Sequence, residues 1–233
     1  RIGVRDRETL RKLDEWDSLG VEPHQLLLDA EGHLMVANGG IPRTAADRKH
    51  SLDRMDSSLV RLDARSGRPL GQWRLEDPRM SLRHLAWSTG ASSEMKRLGI
   101  TLQAEHDEPE RRRNAPVLAV WENDSLSLPA QATDGAGYAG DIAPAFDGGF
   151  VVSSNKAGRA MLWHPVHAPR LATVASLREP YALAGWDGPG RAGGVLIAPA
   201  LGVGRWHPLA PPTMAPWPKP MALDNHWVLI SAA

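Results

Sequence analysis

An all-β fold of propeller type, built from four-stranded antiparallel blades, is what this chain predicts, and three observations carry it. A polar residue able to bind a ligand recurs at the start of a short apolar strand: His24, His84, Asp141, Tyr181 and His226. Their spacings of 60, 57, 40 and 45 residues sit near the roughly 40 to 50 residues of a propeller blade. Helical periodicity is hard to find over a dozen residues, whereas apolar runs bounded by Gly, Pro, Asp and Asn recur. Two kinds of hairpin also alternate, as the inner and outer strand pairs of a blade would.

QLLLDAEGHLMVAN is the clearest inner hairpin, two strands joined by a turn at Asp29 to Gly32, and DIAPAFDGGFVVSSN repeats it with a turn at Asp147 to Gly149. VRDRETLRKLDEW and LVRLDARSGRPLGQWRL form the second kind, each with Asp before a polar turn. The blades divide as 1–20 (half a blade), 21–79, 80–136, 137–177, 178–216 and a closing inner strand at 217–233. An Arg-, Asp- and Lys-rich insertion over 41–57 interrupts the second. A chain that starts and ends part-way through a blade lets its termini share one and removes exposed edges.

Composition sets the outer limits. With 233 residues, 42% of them hydrophobic and 23% charged, the chain is globular and long enough to bury a sizeable core in a single domain. Lys+Arg and Asp+Glu each number 27, so no strong field draws it to nucleic acid or anionic lipid. No run approaches 18 consecutive apolar residues, so no membrane insertion is expected. Zero Cys excludes a disulfide framework and thiolate metal sites. A start at Arg1, without Met or a charged-then-apolar leader, reads as processed or truncated.

The segments VEPHQLLLDAEGHLMVANGGI, LDRMDSSLVRLDARSGRPL, SLRHLAW, YAGDIAP and LDNHW resemble the bacterial exported propeller proteins catalogued as domain of unknown function number fifteen-thirteen. More loosely, PHQLLLDAEGHLMVAN is similar to the inner hairpin of the wider seven-bladed, lactonase-like, YVTN-type repeats. The likeness runs from residue 21 to the end and is weakest over Trp186 to Pro218. It implies seven blades in the complete protein, with about five blades' worth here, a missing N-terminal third and a periplasmic home reached through a signal segment absent from this chain. Family members are often encoded beside periplasmic iron-acquisition proteins. No catalytic residue can be carried over.

Residues heading the innermost strands point toward the central axis, so His24, His84, Asp141, Tyr181 and His226, with Asn225, are expected at one mouth of the channel. Two readings stand. His24, His84, Asp141 and His226 suit a divalent transition metal such as Zn, Cu or Fe, with Asp224 and Asn225 orienting an imidazole; alternatively, they line the channel because it holds water. The pattern establishes no cofactor beyond that candidate. His24 could instead hydrogen-bond a neighbouring blade's backbone and lock the register.

His50 and His106, in charged loops, are expected to be solvated. His164 and His207, both in WHP, read as repeated turn residues, with Trp163 and Trp206 packing between blades. Gly188, Gly190 and Gly193 spell GxGxxG without a strand-to-helix turn, and no GxSxG elbow, HExxH helix or Walker loop occurs. Arg111, Arg112 and Arg113 read as a solvated loop. The expected function is a periplasmic ligand- or protein-binding module, with a link to iron or metal acquisition, whose partner is a periplasmic protein or a small ligand. The alternative is a metal-dependent lactonase-like hydrolase or lyase at the channel mouth.

Overall fold

The computed structural model describes residues 1–89, 96–129, 135–167, 169–186, 193–219, 221 and 226–227. The protein is all-β, and its four-stranded sheets are up-and-down antiparallel meanders of the propeller-blade type, each with its strands in sequence order. Two compact units divide it, Arg1–Leu85 and Ala86–Ala233. Among the described residues no helix is long and apolar enough to cross a membrane.

In the first unit, β1 (Ile2–Arg5) and β2 (Lys12–Trp16) pair as a hairpin. Then β3 (Pro23–Leu28), β4 (His33–Asn38), β5 (Ser58–Asp63) and β6 (Pro69–Trp73) make a sheet in that order. Two outer turns repeat one device. Asp6 Oδ1 accepts from the Thr9 amide and hydroxyl at 2.8 and 2.7 Å, and Asp63 Oδ1 accepts from the Ser66 amide and hydroxyl at the same distances. A side-chain oxygen that captures the amides of its own turn competes with strand continuation and closes the hairpin. The residue four places after each Asp is left-handed: Leu10 at φ 57° and Gly67 at φ 70°.

The core of this unit follows from strand alternation. Val36 faces Val60 and Leu34 faces Leu62 across the β4–β5 ladder, and these side chains pack with Ile2 and Trp16. The 41–57 insertion carries a short antiparallel bridge between Arg43 and Lys49 and a 3-10 turn over Leu52–Arg54.

The division between the units falls inside β7 (Met80–Trp87), which precedes β8 (Leu98–Ala104), β9 (Leu118–Glu122) and β10 (Ser125–Ser127) in the next sheet. A one-turn helix, α1 (Pro109–Arg113), interrupts the β8–β9 connection. The remaining sheets are β11 (Ile142–Pro144), β12 (Phe150–Ser154), β13 (Arg159–Trp163) and β14 (Leu171–Ser176), then β15 (Leu183–Trp186), β16 (Gly194–Ile197), β17 (Gly202–His207) and β18 (Ala210–Pro216).

Within the second unit β12 is buried on both faces. Phe150 and Val152 of β12 pack with Val117, Leu118 and Val120, while Val151 between them packs with Leu183, Val195 and Ile197. The period-2 alternation of a strand sends neighbouring residues into two separate cores. Both WHP segments sit at one register: Trp163 opposite Phe150 and Trp206 opposite Val195. In each, the imidazole Nδ1 accepts the amide two residues on, Val166 to His164 at 3.3 Å and Leu209 to His207 at 3.0 Å. A left-handed glycine opens each pair, Gly148 at φ 81° and Gly193 at φ 86°. Gly193 is therefore a blade-repeat turn residue; Gly188 and Gly190 lie outside the described residues, as does most of the expected closing strand over 217–233.

The edge strand β18, APPTMAP, is exposed along its length, and its prolines remove amide donors from that edge.

Candidate functional site

In the first unit the head of β3 concentrates charged and imidazole groups. Glu22 is left-handed at φ 56°, and the ladder slips between Pro23 and Gln25 so that His24 is the unpaired residue of a bulge. Bulges bend a strand and re-aim a side chain, and here the exposed His24 is turned toward Arg83 and His84 on β7. The His24 and His84 rings meet edge to face with centroids 4.9 Å apart. His84 was expected at the start of a strand; it lies in the interior of β7, buried.

Arginines organise this cluster. Glu22 Oε1 accepts from Arg43 Nε at 2.8 Å and from Arg83 Nη1 at 3.1 Å. Arg83 Nη1 also donates to His24 Nδ1 at 2.9 Å, and the Arg83 side chain is only 6% exposed. A guanidinium has donors and no acceptor, so His24 Nδ1 must be the acceptor and the neutral ring carries its proton on Nε2. Arg43 belongs to the 41–57 insertion, so that segment folds onto the head of β3. Gly39 leaves room for the Glu22 carboxylate: a Cβ there would stand 2.6 Å from Oε2. Among the described residues, Oε2 and Arg83 Nε are buried without a hydrogen-bond partner.

The donor set at His24 does not fit a metal ion. Its Nδ1 lone pair is engaged by Arg83, its Nε2 carries the proton, and a fixed positive charge lies against the ring. Within the first unit the observed partner of His24 Nδ1 is the Arg83 side chain.

In the second unit Asp141, buried, immediately precedes β11. Its Oδ1 accepts the Ile142 amide at 2.9 Å and its Oδ2 the Leu183 amide at 2.8 Å, which ties β11 to the start of β15. His226 Nδ1 is 3.7 Å from Asp141 Oδ1, and the His226 side chain is half exposed. Each Asp141 oxygen keeps a second lone pair, so this pair retains the acceptor chemistry a cation needs. Tyr181 stands two residues before β15 and its hydroxyl bonds that of Tyr138 at 2.7 Å. Ser153 Oγ donates to the Tyr181 carbonyl at 2.5 Å and accepts the Asp141 amide at 3.0 Å. Lys156 Nζ lies 4.3 Å from the centre of the Tyr138 ring. Asp224 and Asn225 lie outside the described residues.

Each unit thus brings together part of the predicted set: His24 with His84, and Asp141 with His226 and, through Ser153, Tyr181. Glu22, Arg43 and Arg83 were missed. The available signals were a glutamate two residues before His24 and an arginine inside the otherwise apolar strand SLRHLAW. Asp29, Glu31 and His33, with ligand-type atoms within 4.8 Å of one another, were also passed over. They close the β3–β4 turn. Burial works to raise the Asp29 carboxyl, but the His33 amide at 2.7 Å and imidazole at 2.9 Å outweigh it and hold it below the ordinary value.

Two readings of other residues are corrected. His106 was expected in solvent; it is 3% exposed, and its carbonyl accepts from Arg112 Nε at 2.8 Å. The basic triplet forms the last residues of α1 rather than an open loop, although it is exposed as expected.

Residues 1–230 match the family described as "Protein of unknown function (DUF1513)". The chain belongs to the DUF1513 family. No curated protein matches this DUF1513 member. Its fold is similar to virginiamycin B lyase from Staphylococcus aureus, at 10% identity and a TM-score of 0.48, over 86% of this chain and 71% of that one. It is also similar to a streptogramin B lyase structure, at 13% identity and a TM-score of 0.39, over 86% of this chain and 70% of that one. At these scores neither likeness carries an argument about what the DUF1513 chain does.

Proposed function

We propose that this protein is a ligand- or protein-binding module of the periplasm. The observation that carries the reading is the head of β3, where Glu22 is held by two arginines and Arg83 in turn holds His24. Donors fixed in place before a ligand arrives favour recognition, because less ordering remains to oppose binding. The resemblance to exported proteins encoded beside iron-acquisition genes supports the periplasmic site and a role in that process.

A second reading is a metal-dependent lactonase-like hydrolase or lyase. The proximity of Asp141 and His226 favours it, since a carboxylate and an imidazole are ligands for Zn, Cu or Fe. Elemental analysis and native mass spectrometry of protein isolated from the periplasm without chelators separate the two. The binding module predicts a co-purifying small molecule or protein and no stoichiometric metal. Stoichiometric zinc, copper or iron that is lost in the Asp141→Ala/His226→Ala variant would overturn it in favour of the enzyme.

A further inference from the structure

We infer that residues 42–54 form a strap that opens as a unit about two buried anchors, Ile41 and Met55, with the Arg43–Glu22 ion pair as its latch. Ile41 and Met55 are 0% and 5% exposed, and no residue between them is buried. A segment without an apolar core of its own is held by polar contacts, and such segments open locally well before the whole structure unfolds. The strap keeps its own shape. Arg43 bridges Lys49, the Thr44 amide donates to the Arg48 carbonyl at 2.9 Å, and the His50 amide donates to the Pro42 carbonyl at 3.1 Å. Its root is fixed separately: the Asp56 amide donates to the Gly40 carbonyl at 3.2 Å, and Arg74 holds the Asp56 carboxylate at 2.7 and 3.2 Å. A Cβ on Gly40 would stand 2.3 Å from the Ser57 amide nitrogen, so the two ends of the strap are packed together at that root.

The latch is arranged to part without stranding a charge. Glu22 Oε1 accepts from Arg43 Nε at 2.8 Å and from Arg83 Nη1, on β7, at 3.1 Å. When Arg43 withdraws, Glu22 keeps Arg83. Arg43 in turn carries with it the Asp47 carbonyl and carboxylate, which its Nη1 meets at 3.1 and 3.3 Å within the strap. Opening therefore divides an ion pair whose members both keep a partner, and it avoids the large penalty of a lone buried charge. The Arg43 side chain is 28% exposed, so added salt screens the pair and favours opening. Arg43 and Lys49 have further interactions that add to the hold. The Glu22 side chain is 16% exposed with the strap closed. On the binding-module reading, opening gives a ligand access to the head of β3; the opening itself does not depend on that reading.

Limited trypsin digestion of the full chain tests this, with fragments identified by mass and rates normalised to a small peptide substrate. Arg48, Lys49 and Arg54 are exposed cleavage sites inside the strap, and a protease needs several residues of extended chain, so cutting there reports opening. Cleavage at these positions is expected to be about three- to tenfold faster in Arg43→Gln, the loss of one half-buried charge-assisted contact. In the unaltered protein it should quicken as sodium chloride is raised, and in Arg43→Gln the salt response should be weaker. Low concentrations of urea should leave the rate nearly unchanged, because a local opening exposes little surface. The salt and urea arms need no variant. Strap cleavage that is indifferent to salt and to Arg43→Gln would overturn the inference, as would cleavage that climbs with urea in step with global unfolding. A strap that opens as described in a protein that co-purifies with no ligand or partner would support the inference and count against the binding-module reading.

Discussion

The heads of β3 and β11 each carry a carboxylate, and they use it in opposite ways. At β11 the two oxygens of Asp141 accept backbone amides from Ile142 and Leu183, so the charge is satisfied by the main chain and holds adjoining sheets of the second unit together. At β3 the charges of Glu22, Arg43 and Arg83 answer one another and His24, with Arg43 also donating to the Asp47 carbonyl at 3.1 Å. A carboxylate bonded to amides is a structural tie. Side chains bonded to side chains can be rearranged by a ligand without unfolding a strand. Both segments read alike in sequence, as a polar residue before an apolar run.

The comparison can be broken most forcefully at Arg83. Arg83→Gln takes from the half-buried Glu22 one of the two arginines that hold it and should cost about 3 kcal/mol in chemical denaturation, since removing one member of a desolvated pair strands the other. Asp141→Asn is nearly isosteric yet offers one accepting oxygen where two amides need one each. About 2 kcal/mol of stability should be lost in chemical denaturation; an unchanged midpoint would contradict the structural role of the tie. Gly39→Ala puts a methyl against the Glu22 carboxylate, and a loss of about 1 to 2 kcal/mol is expected in chemical denaturation.

The smallest effect lies in the pH profile of the second unit. Burial, and after it the neighbouring His167, push the His164 imidazole below its ordinary value of 6.5. The unfolded chain therefore binds a proton that the folded ring declines, so His164 contributes stability above pH 6.5 that is lost as pH falls through its lowered value. Thermal melts should show the unaltered protein losing more stability than His164→Gln between neutral and mildly acidic pH. Parallel profiles for the two would contradict the assignment.

The hairpins were legible because each carries its own local chemistry. Asp6, Asp29 and Asp63 cap their own turns through contacts a few residues apart, and a reader of the sequence sees both partners at once. The WHP repeat was legible for the same reason: its ring bonds an amide two residues away. The site was legible only in part. His24, Asp141 and Tyr181 stand near strand starts, but what decides their chemistry comes from far along the chain, Arg83 for His24 and Leu183 for Asp141. The burial of His106 beside α1 was hidden similarly, since charged neighbours in sequence suggested water.

Nitrogen-15 NMR of the histidine rings, with His24 assigned by comparison with His24→Gln, tests the account at its centre. The Arg83 bond requires a neutral His24 near pH 7 whose proton is on Nε2 and whose Nδ1 is bare. A ring protonated on Nδ1, or on both nitrogens, would contradict it.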